Sequence, residues 1–109
     1  MQVRLDGRQL LTWPAFHQVC RAAFGFPDFY GANMDAWIDC MSGLRDDDGM
    51  TRFSLGPEET LEIEVVHGDA LRRQAPAILE ALEECVEEVN VRCAEAGEPP
   101  VLALRVIRD

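Results

Sequence analysis

The stretch TLEIEVV, residues 60–66, decides the fold. Its leucine, isoleucine and first valine alternate with two glutamates, and this period of two predicts a β-strand with one buried face. Two more short strands are predicted, at residues 1–5, where Val3 and Leu5 alternate with polar residues, and at residues 101–107. Because helical patterns separate the three strands, the sequence predicts an α/β fold with a parallel sheet.

The predicted open face of the sheet, which points away from the helices, carries charges that indicate the strand order. The strand at residues 60–66 presents Glu62 and Glu64 there, and the other two strands present Arg4 and Arg105. Opposite charges on neighbouring strands stabilise a sheet and like charges do not, so we expect the acidic strand between the two basic ones. A strand that is covered on both faces has a continuous run of apolar residues. In the first two strands of this sequence apolar residues alternate with polar ones, which predicts that helices cover only one face of the sheet. We therefore expect a three-stranded parallel sheet in the order 1-2-3 with helices packed on one face.

Helices are predicted between the strands from their start and stop signals, which are capping side chains, first-turn prolines and terminal glycines. The predicted boundaries are Thr12 to Gly25, Asn33 to about Ser42, and Pro76 to about Ala96, and Asp69 is expected to cap a shorter helical turn. The long helix has a predicted buried stripe, made of Ala77, Ile78, Ala81, Leu82, Cys85, Val86, Val89 and Cys93. Residues 45–59 have no sustained period and are expected to form an irregular loop.

Length, charge and hydropathy limit the classes of function. The chain has 109 residues, which suits a single domain over residues 1–109. Twenty acidic residues against ten basic ones give a net charge of -10. A direct nucleic-acid ligand is therefore not expected, because phosphate binding needs a basic surface. No apolar run is long enough to span a membrane and no signal peptide is visible, which predicts a cytoplasmic protein without a membrane partner.

The cysteines and acids show no pattern typical of a catalytic or metal site. None of the four cysteines has metal-ligand spacing, and we expect all of them to be buried, reduced thiols. They are Cys20, Cys40, Cys85 and Cys93. The aspartates at residues 46–48 fail as a calcium loop, because Leu44 and Leu55 fall on two ligand positions. We expect no catalytic residue, metal or cofactor; a metal-assisted hydrolase built on Asp35, Asp39 and residues 46–48 is kept as an alternative.

The segment FPDFYGANMDAWIDCMSGL, residues 26–44, is predicted to bind a protein. Within its helix, Asp35, Asp39 and Ser42 form one stripe. Like charges at this spacing destabilise a helix. A solvated helix face is an alternative explanation for the acids, but it does not explain aromatic residues beside them. Two aromatic residues precede the stripe on the adjoining loop, and six acids stand against a single arginine over residues 28–48. Large aromatics beside carboxylates are typical of a surface that fits the basic cleft of another protein.

The pattern F-P-D-F-Y-G-x-N-x-D-A-x-x-D-C-x-x-G at residues 26–43 resembles the signature of the barstar family. Barstar-like proteins are intracellular inhibitors of secreted guanyl-specific ribonucleases such as barnase. The resemblance covers the whole order of elements and is specific over these residues. It implies a three-stranded parallel sheet with helices on one side, no catalytic activity, and a basic ribonuclease as the protein partner. The free protein is then expected to be a monomer.

The resemblance also implies roles for individual residues. Asp39 corresponds to the anchor carboxylate that enters the phosphate site of the nuclease, and Asp35 corresponds to a supporting acid. Phe29 stands where the family inhibitor has a tyrosine that packs on a catalytic histidine. The other residues expected to contact the partner are Tyr30, Gly31, Asn33, Ile38, Ser42, Gly43 and Leu44.

The sequence departs from the family pattern in the second half of this segment and in the last helix. Ile38 and Leu44 stand where the best-known member has tryptophan. That member also has an acidic residue near the end of its last helix. Alignment on the glycine that ends the helix, Gly97 in this chain, places Arg92 at that position, so the acid has no secure counterpart here. The resemblance predicts an inhibitor that blocks the cleft of a barnase-like ribonuclease with an acidic helix and an aromatic loop. The alternatives are an immunity protein for a toxin that is not a ribonuclease, using the same surface, and a structural module with an unrelated partner.

Overall fold

Strands and helices alternate along the chain in the computed structural model, which describes residues 1–46 and 49–109. The strands are β1 (Gln2–Asp6), β2 (Leu61–Val66) and β3 (Leu102–Val106). The α-helices are α1 (Trp13–Phe24), α2 (Met34–Ser42), α3 (Gly68–Gln74) and α4 (Pro76–Glu95), and a 3-10 helix (Gly7–Gln9) follows β1. Within the described ranges, no helix is both long enough and apolar enough to cross a bilayer.

The sheet has the predicted strand order. All three strands are parallel, β2 lies between β1 and β3, and the register aligns Arg4 with Glu64 and Glu64 with Arg105. The charge pattern of the three strands thus identified the central strand correctly, because each basic strand places its arginine beside the acid of β2.

Glu64 is less exposed than the open face of the sheet predicts. Its side chain accepts hydrogen bonds from Gln2 Nε2 and Arg4 Nε, both at 2.9 Å, and Nη1 of Arg105 lies 4.0 Å from its carboxylate. These neighbours leave the residue only 5% exposed. The long side chains of the two edge strands therefore cover the carboxylate of the central one.

Capping residues begin α1 and α2 where the sequence predicts them. Thr12 Oγ1 accepts a hydrogen bond from the backbone N–H of Ala15 at 3.2 Å, and Asn33 Oδ1 accepts one from Ala36 at 2.8 Å. Gly25 follows α1 with a φ of 71°, in the left-handed region that glycine enters without strain. These caps define the loop between the two helices.

The core lies between the helices and one face of the sheet. α1 packs against β1, and α4 packs against both β3 and α2. Most of the stripe predicted on α4 is buried, but Ala77 is exposed, Ala81 is half-buried, and Leu79 is buried although the stripe did not include it. Burying leucine removes more apolar surface from water than burying alanine, which favours this orientation of α4. The largest fully buried side chains include Trp37, Phe16, Phe24, Leu5 and Leu10.

The expectation that Asp69 caps α3 is wrong. The residue before α3 is His67, which has a φ of 53° and makes no capping hydrogen bond through its side chain. The backbone N–H groups of His67 and Gly68 instead donate to the carbonyl oxygens of Asp109 and Ile107, each at 2.7 Å. The segment after β3 therefore satisfies N–H groups at this helix start, and a side-chain cap is not needed.

Candidate partner-binding surface

The loop between α1 and α2 presents Phe29 to solvent and holds Tyr30 inward. The Tyr30 ring lies 4.6 Å from the ring of Phe26, and its hydroxyl shares a hydrogen bond of 2.6 Å with Nδ1 of His17. Phe26 and His17 are buried, and burial raises the pKa of the Tyr30 phenol, which keeps it protonated. Phe29 is 75% exposed. Tyr30 thus anchors the loop, and Phe29 next to it stays exposed. A large exposed aromatic side chain on an anchored loop is typical of a binding surface.

The turn into α2 directs two aspartates outward. Asn33 caps the helix and also donates from Nδ2 to the carbonyl oxygen of Gly31 at 3.3 Å. Ala32 between them has a φ of 51°, a left-handed conformation that costs energy for an L residue. The buried face of α2 is apolar and consists of Trp37, Cys40 and Met41. Asp35 and Asp39 lie on the other side of the helix, exposed to solvent.

Asp39 is paired with an arginine from the last helix. Nη1 of Arg92 lies 3.1 Å from Oδ1 of Asp39 and donates to Oγ of Ser42 at 3.4 Å. Ser42 in turn donates to the carbonyl oxygen of Ile38 at 2.6 Å. The Asp39 and Arg92 side chains are 66% and 45% exposed, so water screens the pair and it contributes at most about 1 kcal/mol to stability.

Carboxylates of α2 and α4 surround the contact between the two helices. The pKa of the Cys85 thiol is raised mainly by burial. The negative charges of nearby carboxylates on both helices raise this pKa further. Those carboxylates belong to Glu84, Asp35 and Glu88. We call the four acids along this contact the acidic seam, and its members are Asp35, Asp39, Glu84 and Glu88. Glu84, Glu88 and Arg92 follow one another at intervals of four residues on α4, so they lie on one face of the helix. This spacing is the sequence signal that could have revealed the two glutamates and Arg92 as neighbours.

Most of the residues predicted to contact a partner reach the surface. Phe29, Gly31, Asn33, Asp35 and Asp39 are exposed, and Tyr30, Ile38 and Ser42 are half-buried. Gly43 is buried, and Leu44 is completely buried within the core. The Leu44 side chain does not reach the surface of the free chain, because an apolar side chain gains more by packing in the core than by facing solvent. For the exposed residues, contact with a partner stays a prediction.

Trp13 is a surface aromatic that sequence reasoning missed. It is 41% exposed, and its ring stacks on that of His17 with the centroids 6.1 Å apart. Trp13 lines a shallow cavity of about 270 Å³ together with Ala32, Asn33 and Met34. The sequence did contain a signal for its exposure. Trp13 stands beside Pro14 in the first turn of α1, before the predicted apolar face of that helix begins at Phe16.

Within residues 1–46 and 49–109, no three His, Cys, Asp or Glu side chains are grouped as ligands for a metal ion. Asp47 and Asp48, which the hydrolase alternative includes, lie outside the described residues. All four cysteine side chains are buried. Burial raises the pKa of the Cys20 thiol to about 12, so this thiol is neither a good nucleophile nor a ready metal ligand.

A protein-family model matches the chain over the elements that build this surface. Residues 1–105 match the family described as "Barstar (barnase inhibitor)". The chain belongs to the barstar family. The match includes β1, β2 and all but the last residue of β3, the loop between α1 and α2, and both helices of the acidic seam.

This barstar-family chain is also similar to a curated protein of Bacillus subtilis (strain 168), named "Putative ribonuclease inhibitor YrdF". The two sequences are 36% identical over 45 residues. The aligned part is 41% of this chain and 50% of the relative, so the match spans half the length of that protein.

Proposed function

We propose that this chain inhibits a secreted guanyl-specific ribonuclease of the barnase type. In this proposal it acts in the cytoplasm, is a monomer when free, and has no catalytic activity. It blocks the basic active-site cleft with α2 and the loop before it. The family match and the printed name of the relative support a ribonuclease as the partner.

The observation that carries the proposal is the acidic seam, together with the exposed ring of Phe29 on the loop that leads into α2. A ribonuclease needs cations in its cleft to hold RNA phosphates and to stabilise the charge that develops in the transition state. Carboxylates fixed on helices can occupy the positions of those phosphates without offering a bond that the enzyme can cleave. Phe29 supplies an apolar ring that can pack on a ring of the enzyme. Inhibition then follows from occupancy of the cleft.

Each proposed contact residue has a role that fits its position. Asp39 is the anchor, because it is exposed and lies near the end of α2. Asp35 supports it from one turn earlier, and the two glutamates of the seam add negative charge from α4. Tyr30, Gly31, Asn33, Ile38 and Ser42 complete the surface around these groups.

The test of the proposal is Asp39→Ala. We expect it to weaken inhibition of a barnase-type ribonuclease about thirtyfold or more, which corresponds to about 2 kcal/mol for an anchor residue. Stability should change by less than about 1 kcal/mol, because the lost ion pair with Arg92 is exposed and alanine is the better helix former. Inhibition constants and thermal melts measure the two effects.

Glu80→Ala is the matched control. It changes the net charge by the same amount from an exposed position on α4, twelve residues before Arg92 and so about 18 Å away along the helix. It should leave the inhibition constant within about twofold. Equal effects of the two variants, or no inhibition of any barnase-type enzyme by the unmodified chain, would overturn the proposed function. In the second case an immunity role toward another kind of toxin becomes the better account.

A further inference from the structure

Arg92 is a positive charge that contacts two of the four carboxylates of the acidic seam. Its Nη1 contacts Asp39 and Ser42 on α2, at 3.1 and 3.4 Å, and its Nε lies 4.0 Å from the Glu88 carboxylate on its own helix. The side chain therefore bridges the two helices of the acidic seam. It is 45% exposed, so a protein that covers Asp39 also covers Arg92.

The position of Arg92 affects a partner in two ways. A cation of the partner that approaches Asp39 must compete with a guanidinium already paired with the same carboxylate. In addition, the positively charged guanidinium repels the other cations of the partner that come close to it. Removing this charge from water beside partner cations is unfavourable, and such a repulsive contact discriminates between partners.

We propose that Arg92 determines the specificity of this inhibitor, on the basis of the proposed function. It disfavours ribonucleases whose clefts present only cations around the anchor site, and it favours one that places a carboxylate beside the cations that receive Asp39. A carboxylate suits Arg92 because hydrogen bonds between a guanidinium and a carboxylate are charge-assisted and therefore strong. Among the described residues, Arg92 uses Nη1 and Nε for the contacts above and makes no hydrogen bond through Nη2. Nη2 can therefore bind a carboxylate of the partner.

The first experiment uses barnase as a basic probe. Association and dissociation rates are measured in about 20 mM and about 500 mM salt for the unmodified chain, Arg92→Gln and Arg92→Glu. We expect the association rate at low salt to rise about threefold in Arg92→Gln and about tenfold in Arg92→Glu, because each step removes repulsion at the surface that meets the enzyme. The gain should shrink at high salt, where screening is strong.

Arg72→Gln is the matched control for net charge. Arg72 is exposed on α3, four residues before α4 begins, whereas Arg92 lies sixteen residues into α4, about 24 Å along the helix axis from Pro76. Its substitution should change the association rate by less than about twofold. The inference fails if Arg92→Gln binds no faster than the unmodified chain, if both control and test variants gain equally, or if no variant binds barnase.

A second experiment tests the partner carboxylate. Lysines and arginines at the rim of the barnase cleft are replaced by glutamate one at a time, and each variant is titrated with the unmodified chain and with Arg92→Glu. We expect one replacement to bind the unmodified chain more tightly than parent barnase does, about tenfold, and to lose this gain with Arg92→Glu. If no replacement shows the reversal, the carboxylate assignment is wrong.

The inference and the proposed function fail differently. If Asp39→Ala weakens inhibition while the Arg92 variants behave like the unmodified chain, the proposed function stands and the inference is wrong. If Asp39→Ala has no effect on an enzyme that the chain inhibits, the proposed function fails first.

Discussion

At the scale of single residues, His17 links the core to the binding loop. It is buried beneath Trp13 and shares a hydrogen bond with Tyr30, and burial lowers the pKa of its imidazole below the usual value of 6.5. As pH falls through 6.5, the unfolded chain takes up a proton at this position before the folded chain does. The free energy of unfolding should therefore decrease between pH 7 and pH 5.5, by less than about 1.4 kcal/mol per pH unit, the limit for one proton. Urea unfolding across this range measures the slope.

The control for this prediction is His17→Gln. Glutamine keeps a polar group near the Tyr30 hydroxyl but does not titrate, so the slope over the same pH range should flatten even if the variant is less stable overall. A slope that is equally steep in both proteins would assign the pH dependence to other groups. Protonation of His17 would then have no measurable cost to the fold.

At the scale of elements, Arg45 holds together the connections that lead into β2 and β3. Its guanidinium donates to the carbonyl oxygens of Glu59, Pro99 and Pro100 at 3.0, 2.6 and 3.1 Å, and its side chain is only 7% exposed. Arg45→Ala should lower the free energy of unfolding by about 2 kcal/mol, because charge-assisted hydrogen bonds that are shielded from water are lost. Chemical denaturation measures this change.

Two comparisons make the Arg45 prediction specific. Arg45→Lys keeps the charge but not the planar fork of donors, so it should recover only part of the loss. Arg72→Ala, on the exposed side of α3, should change stability by less than about 0.5 kcal/mol. Full recovery by lysine would mean that charge alone matters at this position, and no loss in Arg45→Ala would show that the two connections are held by other contacts.

The elements themselves were largely predictable from local patterns. The alternation in β2 and the caps Thr12 and Asn33 each depend on residues within a few positions, and the structure confirms them. The strand order was also predictable, because the charges of β1, β2 and β3 are complementary only with the acidic strand in the centre. The cap of α3 was not predictable, since its N–H groups donate to carbonyl oxygens about forty residues further along the chain.

The candidate site was less predictable, because it depends on contacts between distant elements. Asp39 and Arg92 are separated by 53 residues, and no spacing rule brings them together. Arg45 was counted among the charges of the acidic segment, yet its side chain is buried against the connections before β2 and β3. The burial of Leu44 likewise follows from how the chain leaves α2. The arginine beside the acids of the seam is therefore Arg92 and not Arg45.

At the scale of the whole molecule, the net charge of -10 should govern how fast a basic partner is found. Several acids are paired with arginine away from the acidic seam, such as Asp6 with Arg8 and Asp28 with Arg21. The seam has four carboxylates beside a single arginine, so attraction is directed toward this side.

Raising salt should therefore slow association much more than it speeds dissociation. Between about 20 mM and 500 mM salt, we expect the association rate with a barnase-type ribonuclease to fall about tenfold or more, because the screening length shortens from over 20 Å to under 5 Å. Dissociation depends on contacts that are already desolvated and should change less than about threefold.

Stopped-flow measurements of Asp39→Ala and Glu80→Ala separate the effect of charge on association from the effect of direct contacts on dissociation. Both variants lose one negative charge and should associate slightly more slowly, but only Asp39→Ala should also dissociate faster. An association rate that does not respond to salt would mean that the acidic surface does not guide the encounter, and the cleft-blocking mechanism would then have to rest on shape alone.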